Sequence, residues 1–279
     1  MKKRVRKVLI VILALVFLWS VTMLLRQLQS YREGDEIYAL AEQLAAAPPN
    51  ASQPAVPPPA DSAPAPDAPN TPDEPPDPAA SHPPAAPAAD PLAEVSLESL
   101  RDVSKAVIGW ISIPDTKLAY PLVQGKDNDY YLDHAWNGRY TSLGSIFLDS
   151  RNDAGLTDFH TLIYGHRMKN GSMFATLKYY DDPSYLAEHP YVYIKTTEGV
   201  RQYAVFAAYE APVRSCTYNL NFPDEAARQE LIDFALKQSV IDCDITPETT
   251  ERILTLSTCT GQGYDTRWVV QAVEVPLMQ

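Results

Sequence analysis

Glycine and cysteine are both scarce in this chain, and several common catalytic motifs are missing. Of its 279 residues, 11 are glycine and three are cysteine. Cys216, Cys243 and Cys259 lie 27 and 16 residues apart, so the spacing gives no sign of a cysteine zinc site. HExxH, GxGxxG, GxSxG and the P-loop are also absent. The sequence therefore does not indicate a zinc peptidase, a nucleotide-binding fold or a nucleophile-elbow serine hydrolase.

Positive charge is also in short supply beyond the N-terminus. The net charge is −12, and residues 94–279 contain 16 Lys and Arg against 25 Asp and Glu. This balance argues against a basic phosphate-binding surface and against nucleic-acid binding. The first seven residues are the exception, because they contain five positive charges.

One long apolar run follows that basic cluster. Residues 8–25 contain no charged side chain, and as a helix they would extend about 27 Å, close to the thickness of a bilayer core. A cleaved signal peptide would have a shorter apolar region and a small-x-small cleavage site, whereas this run ends in Met-Leu-Leu-Arg. We therefore expect a single-pass protein of the cell membrane with a cytoplasmic tail at 1–7, a transmembrane helix at 8–25 and the remainder outside.

Three segments follow the apolar run. Residues 26–47 combine helix formers with mixed charge and predict a juxtamembrane helical stalk. Residues 48–93 contain 17 of the 25 prolines and no Lys, Arg or Gly, which predicts a disordered Pro/Ala-rich spacer. At about 3.1 Å per residue its reach would approach about 140 Å. Residues 94–279 are long enough for one domain with a sizeable core.

The last segment is predicted to be mainly β. Eight short runs are rich in β-branched and aromatic residues and are bounded by turn residues. They cover residues 107–113, 118–123, 145–148, 161–164, 191–195, 202–209, 252–258 and 267–275. Eight strands in one domain favour a closed barrel or a sandwich. Helical periodicity is clear only at 97–104 and 224–239.

A thiol and a guanidinium lie at the ends of two successive predicted strands. Cys259 ends one strand, and Arg267 opens the next after a short polar loop. An arginine in that position can stabilise a thiolate or a developing oxyanion. The alternative is a buried cysteine beside an arginine that pairs with Asp265.

The five histidines differ in their sequence context. His82 lies in the spacer, His134 and His189 lie in polar turns, and His160 begins a predicted strand. His166 instead follows an apolar strand and a glycine, which predicts a position at a rim. It is the histidine best placed for acid–base chemistry.

Two motifs resemble the signatures of sortases, the membrane-tethered cysteine transpeptidases of Gram-positive bacteria. They are TLSTC (255–259) followed by Arg267, and YGHRMKNGSMF (164–174), whose length is typical of class B. The segments at 107–114, 120–132 and 144–152 also resemble class B, and the likeness extends over nearly all of 95–275. The short Cys259–Arg267 loop and the long proline-rich spacer depart from the usual pattern.

The resemblance implies a fold and a set of site residues. The fold would be a closed eight-stranded sortase-type β-barrel with peripheral helices. Cys259 would be the nucleophile, His166 the general acid/base and Arg267 the group that stabilises the oxyanion. The implied substrate-binding residues are Asn128, Leu132, Tyr164 and Ser257, with Thr217 and Tyr218 in a second substrate-facing stretch.

The resemblance also implies a reaction and its partners. The enzyme would cleave a C-terminal sorting signal, often of the NPxTx type in class B, after its threonine. It would form a thioacyl-enzyme and transfer the surface protein or pilin to an amine of a peptidoglycan precursor or a pilin lysine. No metal or organic cofactor is required.

Other functions remain as alternatives. An extracellular, membrane-anchored cysteine peptidase would use the same Cys/His pair and release the acid. A tethered binding domain without activity would not need all three of Cys259, His166 and Arg267. An L,D-transpeptidase would need a Gly-Cys-x-Arg arrangement that is missing here.

The two remaining thiols flank the predicted helix at 224–239. Such a helix spans about 24 Å, whereas a disulfide needs a Cα separation below about 7 Å. We therefore predict that Cys216 and Cys243 are not bridged.

Overall fold

Eight strands close into a barrel in the computed structural model, which describes residues 2–46, 92–259 and 265–277. The strands are β1 (Val107–Ser112), β2 (Ala119–Gln124), β3 (Ile146–Leu148), β4 (His160–Tyr164), β5 (Tyr191–Thr196), β6 (Gly199–Pro212), β7 (Ile253–Cys259) and β8 (Thr266–Val275). Their order around the barrel is β1–β2–β3–β4–β7–β8–β6–β5. The predicted closed eight-stranded barrel is confirmed. Residues 48–91 of the predicted spacer at 48–93 lie outside the described residues, as do residue 47 and residues 260–264 of the Cys259–Arg267 loop.

Short helices pack on the outside of the barrel. They are α2 (Leu97–Val103), α3 (Pro183–Glu188) and α4 (Glu225–Gln238). The Asp224 carboxylate caps α4 by accepting a hydrogen bond from the Ala227 amide at 2.9 Å. Asp182 caps α3 in the same way, and Pro183 occupies its first turn. The sequence predicted α2 and α4 but not the six-residue α3.

The pairing of β4, β7 and β8 brings three strand ends together. β4 and β7 run parallel, with Tyr164 opposite Ser257. β7 and β8 run antiparallel, with Cys259 opposite Arg267. The end of β4, the end of β7 and the start of β8 therefore meet at one end of the barrel.

The chain begins with one long helix, α1 (Lys2–Ala46). Exposed large apolar side chains follow it from Leu9 to Leu28, among them Phe17, Trp19 and Leu24. Among the described residues, α1 is the one helix that is long and apolar enough to cross a membrane. It is continuous through the segment that was predicted as a helical stalk.

The last third of α1 packs on the barrel domain. Four of its side chains are buried there: Ile37, Tyr38, Ala41 and Ala45. The Trp136 indole donates a hydrogen bond to the Ile37 carbonyl at 3.2 Å, and the Tyr38 hydroxyl donates one to the Gly144 carbonyl. Gly34 permits the close approach, because a Cβ there would lie 2.7 Å from the Leu143 side chain.

The domain also holds the chain where it returns after the proline-rich segment. Leu92 is buried, and the Ser96 amide donates a hydrogen bond to the Ala45 carbonyl at 2.6 Å. Both ends of the segment from 47 to 91 are therefore attached to the same domain. The segment predicted as a stalk is a helix that packs on this domain along its last turns.

Candidate active site

The barrel topology brings the three predicted catalytic residues to one end of the molecule. Cys259 is the last residue of β7, and its backbone pairs with that of Arg267 in β8. Tyr164 at the end of β4 pairs with Ser257 of β7. Because these two strands are parallel, His166 and Cys259 each lie two residues beyond that pair.

The orientation of the His166 ring is set by a backbone carbonyl. Its Nε2 lies 2.7 Å from the carbonyl oxygen of Leu132. A carbonyl can only accept, so Nε2 bears the hydrogen and proton exchange with a substrate falls to Nδ1. The His166 carbonyl in turn accepts from the Phe174 amide at 2.9 Å. A Cβ at Gly165 would lie 2.8 Å from the Phe174 ring, which explains the glycine before the histidine.

Arg267 is held between two neighbouring strands. Its backbone lies opposite Ala211 in β6 and opposite Cys259 in β7. The half-buried side chain donates from Nη1 to the Thr266 carbonyl at 2.9 Å. A guanidinium is always charged and presents donors in a fixed fork, so its position beside Cys259 suits the stabilisation of negative charge.

A buried carboxylate supports two of the predicted substrate-binding residues. Asp149 directly follows β3 and is fully buried. Its Oδ2 accepts from Asn128 Nδ2 and from the Tyr164 hydroxyl, each at 3.0 Å. Arg151 donates from Nε to Oδ1 at 2.9 Å and from Nη2 to Oδ2 at 2.8 Å. Burial raises the pKa of Asp149, but hydrogen bonds from Arg151 and Tyr164 outweigh it and leave the pKa below its ordinary value.

This carboxylate fixes which hydrogen-bonding groups Asn128 and Tyr164 present. The Asn128 Oδ1 accepts from the Ser150 amide at 2.8 Å while Nδ2 donates to Asp149, so the amide cannot turn over. Its second N–H is then the group that can donate to a substrate. The Tyr164 hydroxyl donates inward, so its oxygen can accept; burial and the Asp149 charge raise its pKa and keep the phenol protonated.

The second predicted stretch contains one partly exposed residue, Tyr218, and one buried residue, Thr217. The hydroxyls of Tyr218 and Ser257 lie 3.0 Å apart, which links this stretch to β7. Thr217 is fully buried, and its hydroxyl lies 3.0 Å from that of Tyr209. The prediction that Thr217 belongs to a substrate-facing stretch stays a prediction, and in this structure its side chain packs beneath the loop.

A buried histidine ties the same stretch to the barrel. His160 Nδ1 lies 2.8 Å from the Asn219 carbonyl, and Nε2 lies 2.7 Å from the Thr255 hydroxyl. Because the carbonyl only accepts, Nδ1 donates and Nε2 accepts. Burial lowers the pKa of His160 to about 4, so the ring is neutral at neutral pH. It acts as a structural clamp and not as an acid–base group.

Neither of the other two cysteines is activated. Cys216 and Cys243 are free thiols, and burial raises the pKa of each. The Cys243 thiol donates to the Phe206 carbonyl at 3.0 Å. The described residues contain no group of three or more His, Cys, Asp or Glu side chains that could hold a metal ion.

The sequence motifs missed Asp149. The residue lies in the segment 144–152, which resembles class B sortases, but an acidic residue after a strand is an ordinary turn signal. The available sign was an acid directly after an apolar run with an arginine two residues later. Its contacts with Asn128 and Tyr164 join positions 21 and 15 residues away, which a local pattern does not reveal.

Comparisons with known proteins identify the family of this chain. A family model described as the sortase domain matches residues 111–275. Sortase B of Listeria monocytogenes is 37% identical over 177 residues, which are 63% of this chain and 72% of that protein.

Two solved structures are similar across the same part of the chain. The Staphylococcus aureus sortase B–substrate complex has a TM-score of 0.61 and 32% identity, and the match covers 64% of this chain and 83% of that one. A sortase B complexed with triglycine has a TM-score of 0.61 and 32% identity, covering 64% and 84%. With a matched family model over more than half of its length, the chain belongs to the sortase family of cysteine transpeptidases, and to class B within it.

Proposed function

We propose that Cys259, His166 and Arg267 perform the transpeptidation, with Cys259 as nucleophile. The observation that supports this most directly is the strand register. Cys259 and Arg267 are paired across β7 and β8, and His166 extends from the parallel neighbour β4. Three residues whose side chains have complementary chemistry therefore lie at one end of the barrel.

The first half-reaction forms a thioester. The Cys259 thiolate attacks the carbonyl carbon of the threonine in the sorting signal. Arg267 stabilises the negative oxygen of the tetrahedral intermediate. His166 then gives a proton to the leaving amine as the C–N bond breaks.

The second half-reaction transfers the acyl group to an amine. The incoming amine attacks the thioester, passes a proton to His166 and displaces the Cys259 thiolate, which restores the starting state. The acceptor is an amine of a peptidoglycan precursor or a pilin lysine. The sortase B complexed with triglycine supports the use of a glycine peptide as the probe amine.

The substrate groove lies between the two stretches described above. Asn128 and Tyr164 offer one donor and one acceptor, both oriented by Asp149. Leu132 adds an exposed apolar side chain, and its carbonyl orients His166. The S. aureus sortase B–substrate complex supports a sorting-signal peptide as the occupant.

The N-terminal segment would place this site outside the cell. Five positive charges within residues 1–7 precede the apolar part of α1, which favours a cytoplasmic N-terminus. The domain that begins at residue 94, together with the packed end of α1, then lies on the extracellular face. That side is where surface proteins and wall precursors meet.

The decisive experiment follows the acyl-enzyme. The full-length chain is mixed with a peptide that contains an NPxTx motif, and the thioester adduct is measured by mass spectrometry. Cys259→Ala is expected to give no adduct, while Cys216→Ser gives the wild-type amount because its thiol lies outside the mechanism. Adduct or turnover in Cys259→Ala would remove this residue from the mechanism.

The same assay separates transpeptidation from hydrolysis. With triglycine present, a transpeptidase gives mainly the ligated peptide, whereas a peptidase gives the free acid with or without the amine. A product mixture that triglycine does not change would favour the hydrolase alternative.

A further inference from the structure

A basic cavity adjoins the segment that follows His166. It has a volume of about 630 Å³ and is lined by Lys117 from the β1–β2 turn and by residues within 167–171 and 175–179. None of the predicted catalytic or groove residues lines it. It is therefore separate from the site already described, although Arg167 is the next residue after His166.

The charge of this cavity is the reverse of the charge of the chain. Four of the 16 lysines and arginines between 94 and 279 line it: Lys117, Arg167, Lys169 and Lys178. None of the residues lining it is acidic. Within the described part of the chain, its three lysines form no ion pair. A recess lined by one sign of charge concentrates ions of the opposite sign.

The fold holds the backbone that carries these cations in a fixed place relative to His166. The loop from 167 to 171 is closed by a bridge between Arg167 and Met173 and by the Phe174 amide bonded to the His166 carbonyl. Gly171 has a φ of +86°, and a Cβ there would lie 3.7 Å from Lys117 Nζ. The turn therefore brings residue 171 against a lysine that is far away in sequence.

We propose that this cavity binds a phosphate-type anion, a phosphate or pyrophosphate group attached to a larger molecule. Two sources share this chemistry: a phosphate on the amine-bearing acceptor, and the headgroup of an anionic lipid. The first source would hold the acceptor beside His166 and rests on the proposed transpeptidase function. The anion site itself does not depend on that function.

The total charge of the domain predicts against a basic phosphate-binding surface, whereas this cavity gathers four cations locally. Residues 94–279 have a net charge of −9, but a sum does not say where the charges lie. The β1–β2 turn and the loop after His166 are about 50 residues apart in sequence, and only the barrel brings them together.

Binding is tested by calorimetry with inorganic pyrophosphate on the full-length chain in detergent at low salt. Lys117→Gln/Lys169→Gln should weaken binding about 100-fold, about tenfold or 1.4 kcal/mol for each lysine. Lys105→Gln/Lys237→Gln removes the same charge from exposed positions elsewhere and should leave the affinity unchanged. Failure of the wild type to bind, or an equal loss in both double variants, would overturn the proposal.

These measurements are repeated in Cys259→Ala, so that they do not require turnover. Cys259→Ala should bind pyrophosphate as the wild type does while it loses transpeptidation. Absence of transpeptidation in the wild type, with intact pyrophosphate binding, would refute the proposed function and leave the anion site standing. Because the substituted lysines are on the surface, unchanged melting temperatures are expected for both double variants and exclude a folding defect.

A second experiment identifies the source of the phosphate. If the acceptor supplies it, a glycine peptide that contains phosphoserine should have a KM about tenfold lower than the serine peptide, and only when Lys117 and Lys169 are present. If lipid supplies it, nanodiscs with anionic lipid should reduce pyrophosphate affinity in the wild type more than in Lys117→Gln/Lys169→Gln. If neither effect is seen, the cavity binds only free ions, and the proposal that it binds a phosphate attached to a larger molecule is refuted.

Discussion

Replacing Asp149 by asparagine tests whether one buried carboxylate organises the substrate groove. The change keeps the shape of the side chain and removes its charge. Asn128, Tyr164 and Arg151 all donate hydrogen bonds to this carboxylate. Asp149→Asn should therefore reduce both stability and substrate binding.

The magnitude follows from counting the donors on each oxygen. Oδ2 accepts three side-chain hydrogen bonds, and Oδ1 accepts from the backbone amide and Nε of Arg151. In either orientation of the new amide, its NH₂ group takes the place of an oxygen that accepts at least two hydrogen bonds. At least two hydrogen bonds to the carboxylate are therefore lost. Hydrogen bonds to charged groups contribute about 1.5–3 kcal/mol each. Because the Arg151 side chain is 58% exposed and can rehydrate, the low end applies, and we expect a loss of about 3 kcal/mol.

Thermal unfolding and steady-state kinetics provide the assay. A loss of about 3 kcal/mol lowers the Tm of a domain this size by about 6–12 °C. We expect kcat/KM to fall about tenfold, about 1.4 kcal/mol, mainly through KM, because Asn128 and Tyr164 would contact the substrate. Asp153→Asn is the matched control, since Asp153 is exposed and bonds only locally to Thr157.

The pH dependence gives a further check with a definite sign. The folded pKa of Asp149 lies below its ordinary value of 3.8, so its stabilisation is complete above that value and is lost as pH falls through the folded pKa. The stability difference between wild type and Asp149→Asn should be constant near neutral pH and shrink below about pH 4. An unchanged Tm, or a difference that grows in acid, would refute the reasoning.

Three more measurements test other parts of the structure. Arg267→Lys keeps the charge but loses the fork of donors, so kcat should fall about 10²–10³-fold; a wild-type kcat would refute an oxyanion role. Burial lowers the pKa of His160 to about 4 in the folded protein, whereas the unfolded pKa is near 6.5. The free energy of unfolding should therefore be highest above about pH 6.5 and fall by up to about 3 kcal/mol as the pH decreases to about 4. Chemical denaturation that shows no such decline in acid would contradict this. Tyr38→Ala should lower the unfolding free energy by about 3 kcal/mol and expose the α1–domain junction to protease, whereas unchanged proteolysis would mean that α1 is not held by Tyr38.

The sequence was a good guide to the barrel because its strands are recognisable from local patterns. Each strand is a short run of β-branched and aromatic residues between turn residues, and all eight predicted runs became strands. The six residues of α3 (Pro183–Glu188) were missed because so short a helix has almost no periodicity to detect. The opposition of Cys259 and Arg267 was also accessible, since a hairpin joins neighbouring strands.

Contacts between distant segments were not accessible in that way. β4 and β7 are parallel neighbours about 90 residues apart, so nothing local places His166 beside Cys259; only the resemblance to sortases did so. The burial of Thr217 was not accessible either, because it depends on how its loop packs on Tyr209. The docking of α1 likewise depends on a surface formed by residues near Trp136 and Gly144.

If residues 8–25 cross a bilayer, as we propose, the docking of α1 determines how the Cys259 end of the barrel is presented to the membrane. The Ser30 hydroxyl lies 2.6 Å from that of Ser142, so with residues 8–25 in the bilayer only about 8 Å of helix separates the membrane from the first contact. The helix is unbroken, and each residue of a helix also turns by about 100°. α1 therefore sets both the distance of the barrel from the membrane and its rotation about the helix axis. One residue inserted before Ser30 would rotate the catalytic end by about a quarter of a turn around that axis. The number of residues between 47 and 91 affects neither that distance nor that rotation.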